Sequence, residues 1–289
     1  LTASYSGFVL GQGAEVVGGT LSTTATKTSD VGSYAITATG LTAKNYTITA
    51  VKDGTLTVNK AALTVKVDDK ARTYGSDNPA LTASYSGFVL GQGMEVVSGT
   101  LATGATKTSD AGKYVITASG LSAKNYEIKA TDGTLAVKKA ALTVTVDDKA
   151  RSYGSDNPAL TATYSGFVLG QDASVVSGKL ATAATKASDV GTYEIDADDL
   201  SAKNYTITAT AGTLTVNKAP LTVIVDDKTR SYGSANPVLT ATYSGFKLGQ
   251  DATVLGGELT TRATRSSDVG TYGISATGLT ARNYEITAT

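Results

Sequence analysis

The stretch LTVTVDDKARSYGSDNPALTATYSGF, residues 142–167, reads as two short strands separated by a turn. In its first five residues Leu142, Val144 and Val146 alternate with threonine. That period of two puts the three apolar side chains on one face of a strand. The YGSDNP element carries turn chemistry, and Pro158 restricts Asn157 to extended geometry. LTATYSGF then aims Leu160, Ala162 and Tyr164 at the same interior.

The stretch is one copy of a repeat. LTASYSGFVLGQG occurs verbatim at 1–13 and 81–93, and close relatives begin at Leu160 and Leu239, giving spacings of 80, 79 and 79 residues. The boundaries are a truncated repeat at 1–59, complete repeats at 60–138 and 139–217, and a repeat at 218–289 that lacks its last strand. The chain thus reads as a slice of a longer tandem array. The residue between the two valines is Lys66, Thr145 or Ile224, as expected where a side chain faces solvent. Further along the repeat, VVSGKLATAATK is less regular, while YEIDADDL points Tyr193, Ile195 and Ala197 inward. NYTITA and GTLTV are expected to form a hairpin. Short strands without a helical period predict an all-β chain: a tandem array of small immunoglobulin-like β-sandwich domains arranged end to end, with β-grasp-like, mostly β units as the alternative.

Composition removes several functions. Lys plus Arg and Asp plus Glu are each 25, so no net field draws in nucleic acid or an anionic membrane. No apolar run is long enough for membrane insertion through a helix. Histidine and cysteine are both absent, which excludes a Ser-His-Asp triad, His- or Cys-bound zinc and thiolate chemistry. The expectation is a non-enzyme without a cofactor. The acidic pairs Asp68 with Asp69, Asp147 with Asp148 and Asp226 with Asp227 recur in VDDKxR, and with Asp196, Asp198 and Asp199 they are the candidates for calcium. Neighbouring strand residues point to opposite faces, so each pair reads better as charges ending a strand, with Arg72, Arg151 or Arg230 available as an ion-pair partner. No calcium-loop motif is present, and chelation is expected to leave melting unchanged. Asn-Tyr-Thr at Asn45 and Asn204 becomes Asn-Tyr-Glu at Asn125 and Asn283, which argues against a glycan there.

The motif Ser-Asp-x-Gly-x-Tyr stands before the fourth strand region of every repeat, with Asp30 and Tyr34, Asp110 and Tyr114, Asp189 and Tyr193, and Asp268 and Tyr272. A catalytic Asp and Tyr would need a polar pocket and partners that this composition lacks. The structural alternative is a tyrosine corner, in which the phenol bonds back to the preceding loop.

The order LTVxVDDKxRxYGSxNPxLTAxYSGF, GQDASVVSG and SDVGTYEIxAxxLSAKNYTITATAGTLTV resembles the MBG domain of the YGX type, and the likeness covers every repeat. Such domains occur in tandem in very large bacterial surface and secreted proteins, including filamentous-haemagglutinin-like adhesins. The resemblance implies a stalk or spacer at an extracellular location, on the bacterial surface or secreted. Its expected partners are neighbouring repeats of the chain, sister arrays, or a host or matrix surface. The joints Asn59–Ala62, Lys138–Ala141 and Asn217–Pro220 contain no Gly or Ser, so bending freedom should be small. Lys44, Lys124, Lys203 and Arg282, together with Gln12, Gln92, Gln171 and Gln250, recur at matching positions and could carry a shared surface.

Overall fold

A computed structural model describes residues 1–288; Thr289 lies outside the described residues. The chain divides into two compact units, Leu1–Lys138 and Lys139–Thr289, each holding two repeats.

In the first unit, the first repeat forms an antiparallel sheet of β1 (Val17–Thr23), β2 (Gly32–Ala43) and β3 (Gly54–Val58). The second repeat is complete. Its strands are β4 (Ala61–Val67), β5 (Lys70–Thr73), β6 (Ala83–Ser86), β7 (Ala102–Thr103), β8 (Gly112–Thr117), β9 (Tyr126–Thr131) and β10 (Gly133–Lys138). They make two sheets, ordered β6-β4-β9 and β5-β10-β8-β7. Alternation along β4 sends Leu63, Val65 and Val67 inward, where they meet Ile116 of β8 and Leu135 of β10. The two sheets therefore share one core. Full burial of each large aliphatic side chain there contributes roughly 1.5 to 3 kcal/mol. Ile116, two residues after the motif tyrosine, is completely buried.

The all-β reading holds, but the final hairpin does not form. β9 and β10 are separated by Asp132 alone, and the tightest hairpin loop needs two residues. The chain instead passes from one sheet to the other: β9 pairs parallel with β4, and β10 pairs parallel with β5 and antiparallel with β8. Pairing is accordingly mixed, not the antiparallel order expected of an immunoglobulin-like sandwich. β4 crosses between sheets in the same way, through Asp68 and Asp69, before continuing as β5.

The second unit repeats this plan. The third repeat comprises β11 (Ala140–Val146), β12 (Lys149–Ser152), β13 (Ala162–Ser165), β14 (Gly191–Ile195), β15 (Tyr205–Thr210) and β16 (Gly212–Asn217), in sheets β13-β11-β15 and β12-β16-β14. The fourth has β17 (Ala219–Val225), β18 (Ala241–Ser244), β19 (Thr260–Thr261), β20 (Ile274–Ser275) and β21 (Tyr284–Ala288). In the opening stretch Leu142, Val144 and Val146 are buried as expected. The stretch holds three strands instead of two: β12 intervenes, β13 begins only at Ala162, and Leu160 packs on the core from the loop before it.

Candidate functional site

Two of the four Asp-x-Gly-x-Tyr copies, those of Asp30 and Asp189, sit where consecutive repeats meet within a unit. The motif's tyrosine works inside its own repeat: the hydroxyls of Tyr34, Tyr114, Tyr193 and Tyr272 donate to the carbonyls of Asp30, Asp110, Asp189 and Asp268 at 2.8, 2.9, 2.9 and 3.0 Å. Tyr114→Phe is expected to destabilise the second repeat by about 1 kcal/mol, since this removes one half-buried hydrogen bond. A change within error in chemical denaturation would show that the bond has no structural weight.

The aspartate side chain works across the joint. In the first unit, Asp30 accepts a hydrogen bond from the Asn125 side-chain amide at 2.8 Å and pairs with Lys124. The same Asn125 accepts from the backbone N–H of Val31 at 3.0 Å. One amide thus closes a two-bond clasp on the neighbouring repeat, much as a strand residue would. The second unit builds the same clasp. Asn283 donates to Asp189 at 2.7 Å and accepts from Val190 N–H at 3.0 Å, and Arg282 pairs with Asp189 at 2.8 Å. Arg282 and Lys124 are mostly exposed, so the ion pairs contribute little next to the amide bonds.

Hydrogen bonds from Lys124 and then Asn125 hold the Asp30 carboxyl below the usual carboxylate range. A carboxylate lowered on folding stabilises above its unfolded value of about 3.9, and that contribution is lost as pH falls through the folded value. The Asp30 half of the clasp is therefore in place at neutral pH and weakens in acid, while the bond between Asn125 and Val31 N–H does not titrate.

The tyrosine following each clasp asparagine holds a turn. Tyr126 is buried, its hydroxyl accepts from Val89 N–H at 3.1 Å, and it donates to the Gln92 side chain. The turn it braces has Leu90 at φ 56° and Gly91 at φ 69°, with Gln92 N–H bonded to the Val89 carbonyl. This is a type I′ turn with a leucine in the left-handed region, a conformation that costs roughly 1 to 2 kcal/mol. Leu10, Leu169 and Leu248 repeat it. In the second unit this turn also reaches the preceding repeat: Gln250 donates to the Tyr153 hydroxyl at 3.1 Å, and the Tyr153 and Tyr284 rings pack edge to face at 5.6 Å. Tyr153 and Val216 of the third repeat form one apolar cluster with Ala219, Leu221 and Tyr284 of the fourth.

These contacts locate the residues that the sequence left open. Lys124, Arg282 and Gln250 are joint residues, and Gln92 braces its own turn. The sequence pattern points only to a glycan acceptor at the asparagine, not to a joint residue. The asparagine's presence in all four repeats, while the acceptor threonine changes to glutamate, was the signal of another role.

The acidic pairs of the second and third repeats lie where the chain changes sheets. Asp68, Asp147 and Asp226 each accept from the hydroxyl of Thr82, Thr161 or Thr240 and donate their own N–H to that threonine's carbonyl. Asp69 and Asp148 accept the N–H of Thr134 and Thr213 at 2.7 Å. The two carboxylates of a pair hold different segments, and Asp227 occupies the equivalent place in the fourth repeat, where the sequence stops short of the matching threonine. Arg72 and Arg151 do not pair with them. They are buried, with each guanidinium donating to the side chain of Asn78 or Asn157 at 2.7 Å and to the Thr106 or Thr185 carbonyl. Arg230 likewise donates to loop carbonyls, including that of Thr264. The nearby cations are Lys70, Lys149 and Lys228, at 3.9, 3.7 and 3.7 Å. No three acidic side chains converge among the described residues.

The repeat, its motifs and its joints coincide with a known family. A family model for the MBG domain, YGX type, matches residues 1–57, 63–136, 142–215 and 221–289. The chain belongs to that family. No curated protein and no solved structure matches it. The matches beginning at 63, 142 and 221 start at the alternating strand LTVxV.

Proposed function

We propose that this array of MBG domains is a non-catalytic spacer in a bacterial surface or secreted protein, one that holds other regions at a set distance. The carrying observation is the clasp. The aspartate and asparagine that recur in every repeat are used, in both units, to fasten one repeat to its neighbour. Positions facing solvent vary freely instead: Lys66, Thr145 and Ile224 occupy one of them, and Val115 and Glu194 another. A surface selected to recognise a ligand would keep the second set and not only the first. The absence of histidine and cysteine supports the non-catalytic part of the reading.

The test is the maximum dimension of the chain in solution, measured by small-angle scattering. At about 3.3 Å per residue along the strands, repeats in series reach on the order of 130 to 160 Å. A maximum dimension below about 100 Å would sink the spacer reading.

A second reading, a repeated weak binding module acting through avidity, is favoured by one feature. The second repeat has a groove of about 520 Å³ lined by Leu81, Tyr85, Leu101 and Leu121, and the fourth has one of about 370 Å³ lined by the matching Leu239, Tyr243, Leu259 and Leu279. Glycan or matrix-protein binding that scales with repeat number and is abolished by Leu81→Asp would support this reading over the first.

A further inference from the structure

The first and last segments of each complete repeat run side by side in one direction and in one register. In the second repeat Ala61 to Lys66 pair with Tyr126 to Thr131 in one sheet, and Lys70 to Thr73 pair with Leu135 to Lys138 in the other. The partners are 65 residues apart throughout, although both segments change sheets on the way. The change does not break the ladder, because the Asp69 carboxylate takes the N–H of Thr134, again 65 residues away. The third repeat is the same, with Ala140 to Thr145 against Tyr205 to Thr210, Lys149 to Ser152 against Leu214 to Asn217, and Asp148 holding Thr213 N–H. The chain therefore enters a repeat beside the start of this parallel ladder and leaves at its far end.

We propose that each complete repeat is a shear clamp, built to carry tension along the chain. Load applied at Ala61 and Lys138 draws the two parallel segments past one another. The slanted, evenly spaced hydrogen bonds of a parallel pair are then strained together and must fail together. In a hairpin pulled at its two ends, the bonds would break one at a time. The connection to the next repeat preserves the geometry: in the second unit only Lys218 separates β16 from β17, so load leaving one ladder enters the next without a flexible tether. The acidic pair gains a role in this arrangement. One carboxylate bridges the gap in the ladder, and the other ties the crossing to Thr82 or Thr161.

Resistance to force is set by the unfolding rate along the pulled direction and not by equilibrium stability, so single-molecule stretching provides the test. Held at its two ends, the whole chain is expected to give two high-force events, one for each complete repeat. Each event should release about 240 Å, the reach of a 79-residue chain less the folded length. The chain has no cysteine, so a Ser76→Cys, Lys138→Cys variant can be held at those two positions alone. Both lie at the same end of the ladder, and pulling there peels the strands apart. The second repeat should open at a much lower force in that geometry. Equal forces in the two directions, or the absence of high-force events when the chain is held at its ends, would overturn the clamp. The mechanical role rests on the spacer reading, but the two fail separately. A short maximum dimension would count against the spacer and leave the ladder's directional strength intact, whereas equal forces would remove the clamp and leave the scattering result unchanged.

Discussion

Leu214→Ala is expected to destabilise the third repeat by about 2 to 5 kcal/mol, the range for emptying a fully buried leucine site. Leu214 has no exposed surface and lies in β16, flanked by β12 and β14. It packs with Ile195 of its own sheet and Val146 of the facing sheet. Strands on both sides and a second layer opposite leave the backbone little room to close the cavity, which favours the upper part of that range. Thr206→Ala is the control, an exposed position on β15 where a change within about 0.5 kcal/mol is expected. Denaturant unfolding of the chain should show the loss in the third repeat's transition, with smaller effects on its neighbour through the shared joint. A Leu214→Ala loss below about 1 kcal/mol would mean that the two sheets of a repeat do not depend on a common core.

What was readable in the sequence was whatever depends on local alternation. The buried faces of LTVTV and of the strand at Tyr193 follow directly from a period of two, because a strand offers only two directions to its side chains. Strand partnership was not readable in that way. NYTITA followed by GTLTV has the pattern of a hairpin, yet the single residue between the strands forces the chain onward into the other sheet. The motif Asp-x-Gly-x-Tyr was legible in half. The tyrosine bonds four residues back along the chain, within reach of local reasoning, whereas the aspartate bonds to an asparagine 94 or 95 residues away. The asparagine recurs in every repeat, but a contact made between repeats leaves no periodic trace within one. The acidic pairs show the same limit. They look like ligands because two carboxylates are adjacent, and only the change of sheet at that point explains why each holds a different segment.

Gly99→Ala should destabilise the second repeat by about 3 kcal/mol or more, from a single added methyl group. Gly99 has φ +100°, in a region that side chains rarely adopt, and a Cβ placed on it would lie 2.0 Å from the Gly120 carbonyl oxygen. The left-handed conformation alone costs roughly 1 to 2 kcal/mol for an L-residue. The contact adds more, because the obstacle is backbone and cannot rotate away. Relief would require separating the segment from its partner, and the two are joined next door by the Ser98–Ser122 bridge, with N–H to carbonyl distances of 2.8 and 2.9 Å. Gly178 and Gly257 stand in the same position, 2.2 and 2.0 Å from the corresponding carbonyls, so the restriction belongs to the repeat and not to one copy. Gly104→Ala separates the steric argument from a general effect of removing glycine. Nothing lies within 4 Å of a Cβ at Gly104 and its φ is not positive, so alanine there should be neutral or stabilise by a few tenths of a kcal/mol, through a less flexible unfolded chain. Comparable losses for the two variants in denaturant unfolding would mean that flexibility, and not the close approach of the two backbones, is what glycine supplies at position 99.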